Sequence, residues 1–235
     1  MQEKKTSTPN DSVHQRLLRS ASTVFARKGY AAASVNSIVE LTGVTKPVLY
    51  YHFGSKEGIF LALMNQAQHG LLEALLPSGE EDDPLRRLRR LCTRILDLSA
   101  DNLDFIRLIN TILNGPPQGA PPFDFEAFHT PLFQAIQSHL EEAAARGLLR
   151  DGRVKDQAWL VYGTLCCCLD AQVCLPDSAP GREGLQRMMK MIFRGIASEK
   201  YWQELPAGDG PASRSRAARP KSTLSGLKTK RKSYV

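Results

Sequence analysis

The sequence predicts an all-α protein: an N-terminal three-helix unit containing a helix-turn-helix, followed by a larger helical domain. Three observations carry this. Apolar residues recur with a period near 3.6 along almost the whole chain, and strict alternation is never sustained. Gly- and Pro-rich breakers divide these stretches at PSGEEDDP (77–84), GPPQGAPP (115–122), GRV (152–154) and PDSAPG (176–181). Residues 34–60, SVNSIVELTGVTKPVLYYHFGSKEGIF, read as a helix, a tight turn, a short helix and an abrupt new helix start.

Residues 1–12 are polar, with no apolar h-region, and are expected to be disordered and to carry no secretory signal. From Val13, the residues Leu17, Ala21, Val24 and Phe25 form a helical stripe that stops at Gly29. Ser34 can cap the next helix, whose buried face is Val35, Ile38 and Val39. Thr42 and Gly43 make the turn, the glycine supplying a permissive backbone. Thr45 can cap the third helix. Pro47 falls in its first turn, where a missing N–H costs little. Val48, Leu49 and Phe53 point to the core. Ser55 starts a long fourth helix through Ile59, Phe60, Leu63, Leu71, Leu72 and Leu75. Further helices are expected over Leu85–Leu98, Phe105–Leu113, Phe123–Leu149, Val154–Leu175 and Gly184–Ala197. Residues 203–235 are basic, Ser-rich and too poor in large apolar side chains to fold alone. The expected organisation is a head at 13–60, a helical domain at 61–202 and a disordered tail at 203–235.

Charge is unevenly placed. Residues 13–60 hold six basic against two acidic residues, and 203–235 hold eight against two. Residues 61–202 hold 15 basic against 18 acidic. An acidic middle between basic ends suits a polyanion bound at one pole. No stretch reaches the roughly 20 apolar residues that span a bilayer, so the expected location is cytoplasmic. Five cysteines, three of them adjacent (Cys166, Cys167 and Cys168), make a poor disulfide framework. They read as reduced, buried thiols, with redox sensing as the other reading. The sequence has no GxSxG, P-loop, dinucleotide fingerprint or metal-ligand spacing. Neither an enzyme, a cofactor nor a metal is expected.

The chemistry concentrates on residues 45–52. Successive helical residues are about 100° apart, so Tyr50, Tyr51 and His52 cannot all face one core. They offer hydroxyl and imidazole hydrogen bonds beside Lys46. Lys46 and Lys56 offer point charges to phosphates, each expected to contribute about one unit to the salt slope of DNA binding. The N-terminus at Ser55 is a natural phosphate site.

GVTKPVLYYHFGSKEGIF, preceded by SVNSIVELT, resembles the tetracycline-repressor (TetR) family of bacterial transcription regulators. The resemblance covers about residues 13–60 and rests on the order of Gly43, Leu49, Tyr50, His52, Phe53, Lys56 and Glu57. It implies that Thr45, Lys46, Pro47, Tyr50, Tyr51 and His52 contact the major groove and its flanking phosphates. It also implies that Lys56 contacts the backbone and that Ser34 and Asn36 approach DNA from the second helix. The family often has Gly or Ala where Pro47 stands. It further implies a homodimeric repressor of a palindromic operator, released by a small apolar or amphipathic effector. The second domain would bind that effector and dimerise through its last two long helices, about 154–175 and 182–199. Trp159, Leu165, Leu169, Leu185, Met188, Ile192 and Ile196 supply apolar surface there. The aromatic and apolar residues Phe105, Ile109, Leu113, Phe123, Phe125, Phe128, Trp159, Tyr162 and Cys166 suit a pocket or an ordinary core. Asn110, His129 and His139 are its polar candidates. The other function weighed is a non-specific nucleic-acid-binding or chromosome-associated protein acting through the basic tail.

Overall fold

In the computed structural model the described residues are 12–204, except 78, 80 and 115–118. Their helices are α1 (Val13–Ala32), α2 (Val35–Thr42), α3 (Lys46–Phe53), α4 (Lys56–Leu75), α5 (Pro84–Ala100), α6 (Leu103–Asn114), α7 (Glu126–Ala145), α8 (Val154–Cys174), α9 (Gly181–Ile196) and α10 (Glu199–Glu204). The expected all-α architecture is present, and no described helix is long and apolar enough to cross a membrane. Of the tail expected over 203–235, residues 203 and 204 close α10, a departure from the expected disorder, and residues 205–235 lie outside the described residues, as do residues 1–11.

Local chemistry sets the first boundaries. Ser12, expected in the disordered N-terminus, caps α1 by accepting from the Gln15 N–H. The chain leaves helical geometry at Gly29, where φ is 72°, before a last turn ends at Ala32. Ser34 caps α2 by accepting from the Ser37 N–H. Gly43, at φ 74° and ψ 36°, closes it in the left-handed region, where a side chain would add strain.

Two cores divide the apolar residues. The head core unites α1, α2, α3 and the first half of α4 around Phe25, Ile38, Leu49, Ile59, Phe60 and Met64. It also takes Leu108 from α6, which is fully buried there. The Thr23 hydroxyl ties α1 to α6 by donating to Asp104 at 2.7 Å. The second core packs α5, α7, α8 and α9 around Leu88, Leu91, Ile136, Leu140, Leu165 and Met189. α4 belongs to both: Ile59 to Met64 face the head, and Leu71 and Ala74 face the second core. The expected boundary at 60/61 therefore falls inside one continuous helix. Phe128 packs against both cores.

Three element limits differ from expectation by three residues or more: α9 starts at Gly181, inside the connector expected at 176–181, and both ends of α7 differ. The helix expected over 123–149 is shorter at both ends. At its start, Asp124 accepts from the Glu126 N–H, while Phe123 and Phe125 pack on the head core. At its end, Gly147 turns the chain at φ 71°. Leu149 then pairs with Ala197: the Arg150 N–H donates to the Ile196 carbonyl, and the Ser198 N–H to that of Leu148. The short helix α10 follows.

α7 carries a half-buried titratable group, His139, with a pH consequence. Burial pushes the His139 imidazole below its ordinary 6.5, the Arg87 guanidinium pushes in the same direction, and Glu142 opposes both. Arg87 itself is bonded to Glu142. As pH falls below 6.5, the unfolded chain takes up a proton that the folded chain resists, so stability is complete above that value and lost below it. His139→Gln is expected to flatten the dependence of Tm on pH between about 5 and 7. An unchanged slope in thermal melts would refute the assignment.

Candidate nucleic-acid interface

The face opposite the head core is built by α3. Leu49 is fully buried, while Tyr50 is 48% and Tyr51 87% exposed. Thr45, Lys46, Pro47 and His52 are exposed as well, and Val48 and Phe53 are half-buried toward the core. The helical rotation expected from the sequence is thus realised, with three aromatic side chains presented beside one lysine. Tyr51 and His52 meet edge-on, ring centroids 5.2 Å apart. His52 also lies 5.8 Å from His14 at the start of α1, which joins α1 to the edge of this face.

Thr45 occupies the N-cap of α3, but its side chain makes no capping hydrogen bond. Pro47, two residues on, has no N–H to donate. The Val48 N–H instead bonds to the Thr45 carbonyl at 3.1 Å. The Thr45 hydroxyl thereby stays available to a ligand.

Around α3 the other expected residues divide. Asn36 is exposed on α2. The Ser34 hydroxyl is already engaged with the Ser37 N–H and the Ser37 hydroxyl. Lys28 donates to that Ser37 hydroxyl at 3.1 Å. It brings a cation from α1 to the start of α2, and it was not singled out from the sequence. At the start of α4, Ser55 accepts from the Gly58 N–H at 2.9 Å, leaving the N–H groups of Lys56 and Glu57 for an anion.

Lys56 behaves differently from Lys46. Its ammonium donates to the carbonyls of Tyr30 at 3.0 Å and Ala33 at 3.1 Å. It also stands 4.3 Å from the centre of the Tyr30 ring. It joins the end of α1 to the start of α4. The expected phosphate contact would compete with these bonds.

The residues suggested for a pocket do not form one group. Phe105, Ile109, Phe123 and Phe125 pack on the head core. Trp159, Tyr162 and Phe133 form an aromatic cluster between α7 and α8, with the Phe133 and Trp159 rings 4.6 Å apart. His129 hydrogen-bonds the Tyr162 hydroxyl. Burial pushes the Cys92 thiol up to about 12 and also raises Cys166 and Cys168. These three are poor thiolates at neutral pH.

An exposed polar and aromatic face on the second helix of a helix-turn-helix defines a DNA-binding regulator. A family model described as bacterial regulatory proteins of the tetR family matches residues 17–63. The transcriptional repressor AcnR of Corynebacterium diphtheriae is 32% identical over 191 residues, 79% of this chain and 92% of that protein. The transcriptional activator FasR of Mycolicibacterium smegmatis is 34% identical over 102 residues, 43% of this chain and 47% of that protein, about half the relative's length. Among solved structures, the TetR family regulator PfmR of Thermus thermophilus superposes with a TM-score of 0.60 at 25% identity, covering 76% of this chain and 97% of that one. The chain belongs to the TetR family of bacterial transcriptional regulators. It is a DNA-binding regulator and not an enzyme.

Proposed function

We propose that the chain is a cytoplasmic homodimeric repressor that reads a palindromic operator with α3 and leaves it when a small apolar or amphipathic effector binds the second domain. The observation that carries the reading is the exposed face of α3 opposite buried Leu49. Tyr50, Tyr51, His52 and the Thr45 hydroxyl would read base edges. Lys46, Pro47, Ser34 and Asn36 would set the register on the backbone. Lys46 is the phosphate cation, whereas Lys56 braces the head that holds α3. Two heads would sit about 34–36 Å apart in successive major grooves. Footprinting tests this: one protected palindrome, released in reporter cells to give higher transcription, supports repression. Diffuse protection refutes operator reading.

Dimerisation through about 154–199 is supported by apolar side chains left open on and beside α8 and α9. Trp159 is 54%, Leu160 50%, Leu175 60% and Met191 62% exposed. Leu165 and Leu185, counted toward the same surface from the sequence, are fully buried in the chain's own core. Light scattering showing a folded monomer at micromolar concentration would refute the dimer.

The basic segment 203–235 adds sequence-independent attraction to DNA. A chain truncated after Trp202 is expected to keep its operator preference while losing affinity for operator and random DNA by a similar factor. That loss fades as salt rises, because each neutralised phosphate releases counterions. Unchanged affinity for random DNA at low salt would exclude this role.

A further inference from the structure

A second concentration of cations lies away from α3. Arg89, Arg90 and Arg94 of α5 and Arg182 of α9 line a groove of about 490 Å³, together with Thr93, Asp97 and Gln186. The other arginines of α5 are committed elsewhere, Arg86 to Asp83 and Arg87 to Glu142. Four guanidiniums thus share the groove with one carboxylate, Asp97, which stands 3.6 Å from Arg182. The Arg89 guanidinium has no partner among the described residues. α9 begins beside the groove without a side-chain cap, so its first N–H groups add partial positive charge.

Two of the four cations hold the far end of α4. Arg94 donates to the Leu76 carbonyl at 3.1 Å, and Arg90 meets Glu81 of the α4–α5 loop at 3.1 Å. α4 has 20 residues, hence a rise of about 30 Å. It starts against α3 and ends at this groove. The distance separates the groove from DNA held on α3.

We propose that the groove binds a small polyanion whose charge sits on clustered phosphate oxygens, and that occupation loosens the end of α4 and weakens operator binding. Planar guanidinium forks match phosphate oxygens in pairs, and the groove exceeds what one isolated phosphate fills. A phosphate oxygen there competes with Leu76 for Arg94 and with Glu81 for Arg90. Only a ligand that binds the two arrangements of these arginines differently can shift α4.

The test uses the full chain and inorganic pyrophosphate, with sulfate as control at equal ionic strength. Calorimetric titration of the native chain should give one saturable site per chain. Arg89→Gln combined with Arg182→Gln removes two groove cations without touching the bonds to Leu76 or Glu81. Pyrophosphate binding should fall at least about tenfold, as expected for lost charge-assisted hydrogen bonds, with Tm unchanged in its absence. Pyrophosphate should weaken operator binding by the native chain and not by the double variant. Equal affinity in the double variant, or a titration indistinguishable from sulfate, overturns the site. Pyrophosphate binding that leaves operator affinity unchanged overturns the coupling to α4. If the double variant instead loses affinity for random duplex DNA, the groove is a nucleic-acid surface and the small-ligand site is overturned.

Discussion

Gly58→Ala should disable the head, although alanine is normally the better helix residue. Gly58 lies in the first turn of α4, and a Cβ there would stand 1.9 Å from the Phe53 carbonyl oxygen and 3.0 Å from its carbon. Both atoms are backbone, so no flexible side chain can yield. The last turn of α3 or the first turn of α4 has to shift, and α3 carries the aromatic face. The expected loss is about 1–3 kcal/mol, the usual range for overpacking. Operator affinity should fall at least tenfold, because a displaced α3 cannot keep its contacts in register. Gly70 is the control. It lies in the same helix with nothing within 4 Å of an added Cβ, so Gly70→Ala should raise stability by about 0.5–1 kcal/mol through helix propensity. Thermal melts and operator titrations of the two variants decide the matter. Equal stability and equal affinity would mean that the close approach of α3 and α4 has no energetic weight.

What could be read from the sequence was local. Ser34 at a cap, Gly43 in a left-handed turn, and Leu49 beside exposed Tyr51 follow from hydrogen-bond need, backbone freedom and helical rotation within a few residues. The end of α4 near Leu75 and a new helix start near Leu85, which the structure places at Pro84, were legible for the same reason. What escaped depends on residues distant in sequence. Leu108 and Asp104 look like ordinary members of an amphipathic α6, and only the fold brings them against α1. Leu148 and Leu149 continue the apolar stripe of α7 and so mask the stop at Gly147, whose effect is visible once Leu149 meets Ala197. The groove between α5 and α9 joins residues 89–97 to 182–186, a pairing that no spacing rule announces. Within the candidate site, the side chains exposed on α3 were readable, and the prior engagement of Lys56 was not.

Lys46 and Lys56 should therefore give opposite results, although the sequence suggests the same role for both. Lys46 is exposed at the first position of α3. Lys46→Ala should leave Tm unchanged, weaken operator and random DNA by a similar factor, and lower the salt slope by about one unit. Lys56 is half-buried, and its ammonium already serves the Tyr30 and Ala33 carbonyls and the Tyr30 ring. Those carbonyls lie where α1 ends just past Gly29, beyond the reach of the helix's own N–H groups. Lys56→Met keeps much of the stem and removes the charge. Loss of hydrogen bonds to a charged group should cost about 1.5–3 kcal/mol, discounted toward the lower figure because the site is only half-buried. The salt slope, measured where the variant is fully folded, should change by clearly less than it does for Lys46→Ala. A Lys56→Met protein with native Tm and a slope lowered by a full unit would show that the ammonium leaves the carbonyls for a phosphate. In that case Lys56 belongs to the DNA contacts and not to the joint between α1 and α4.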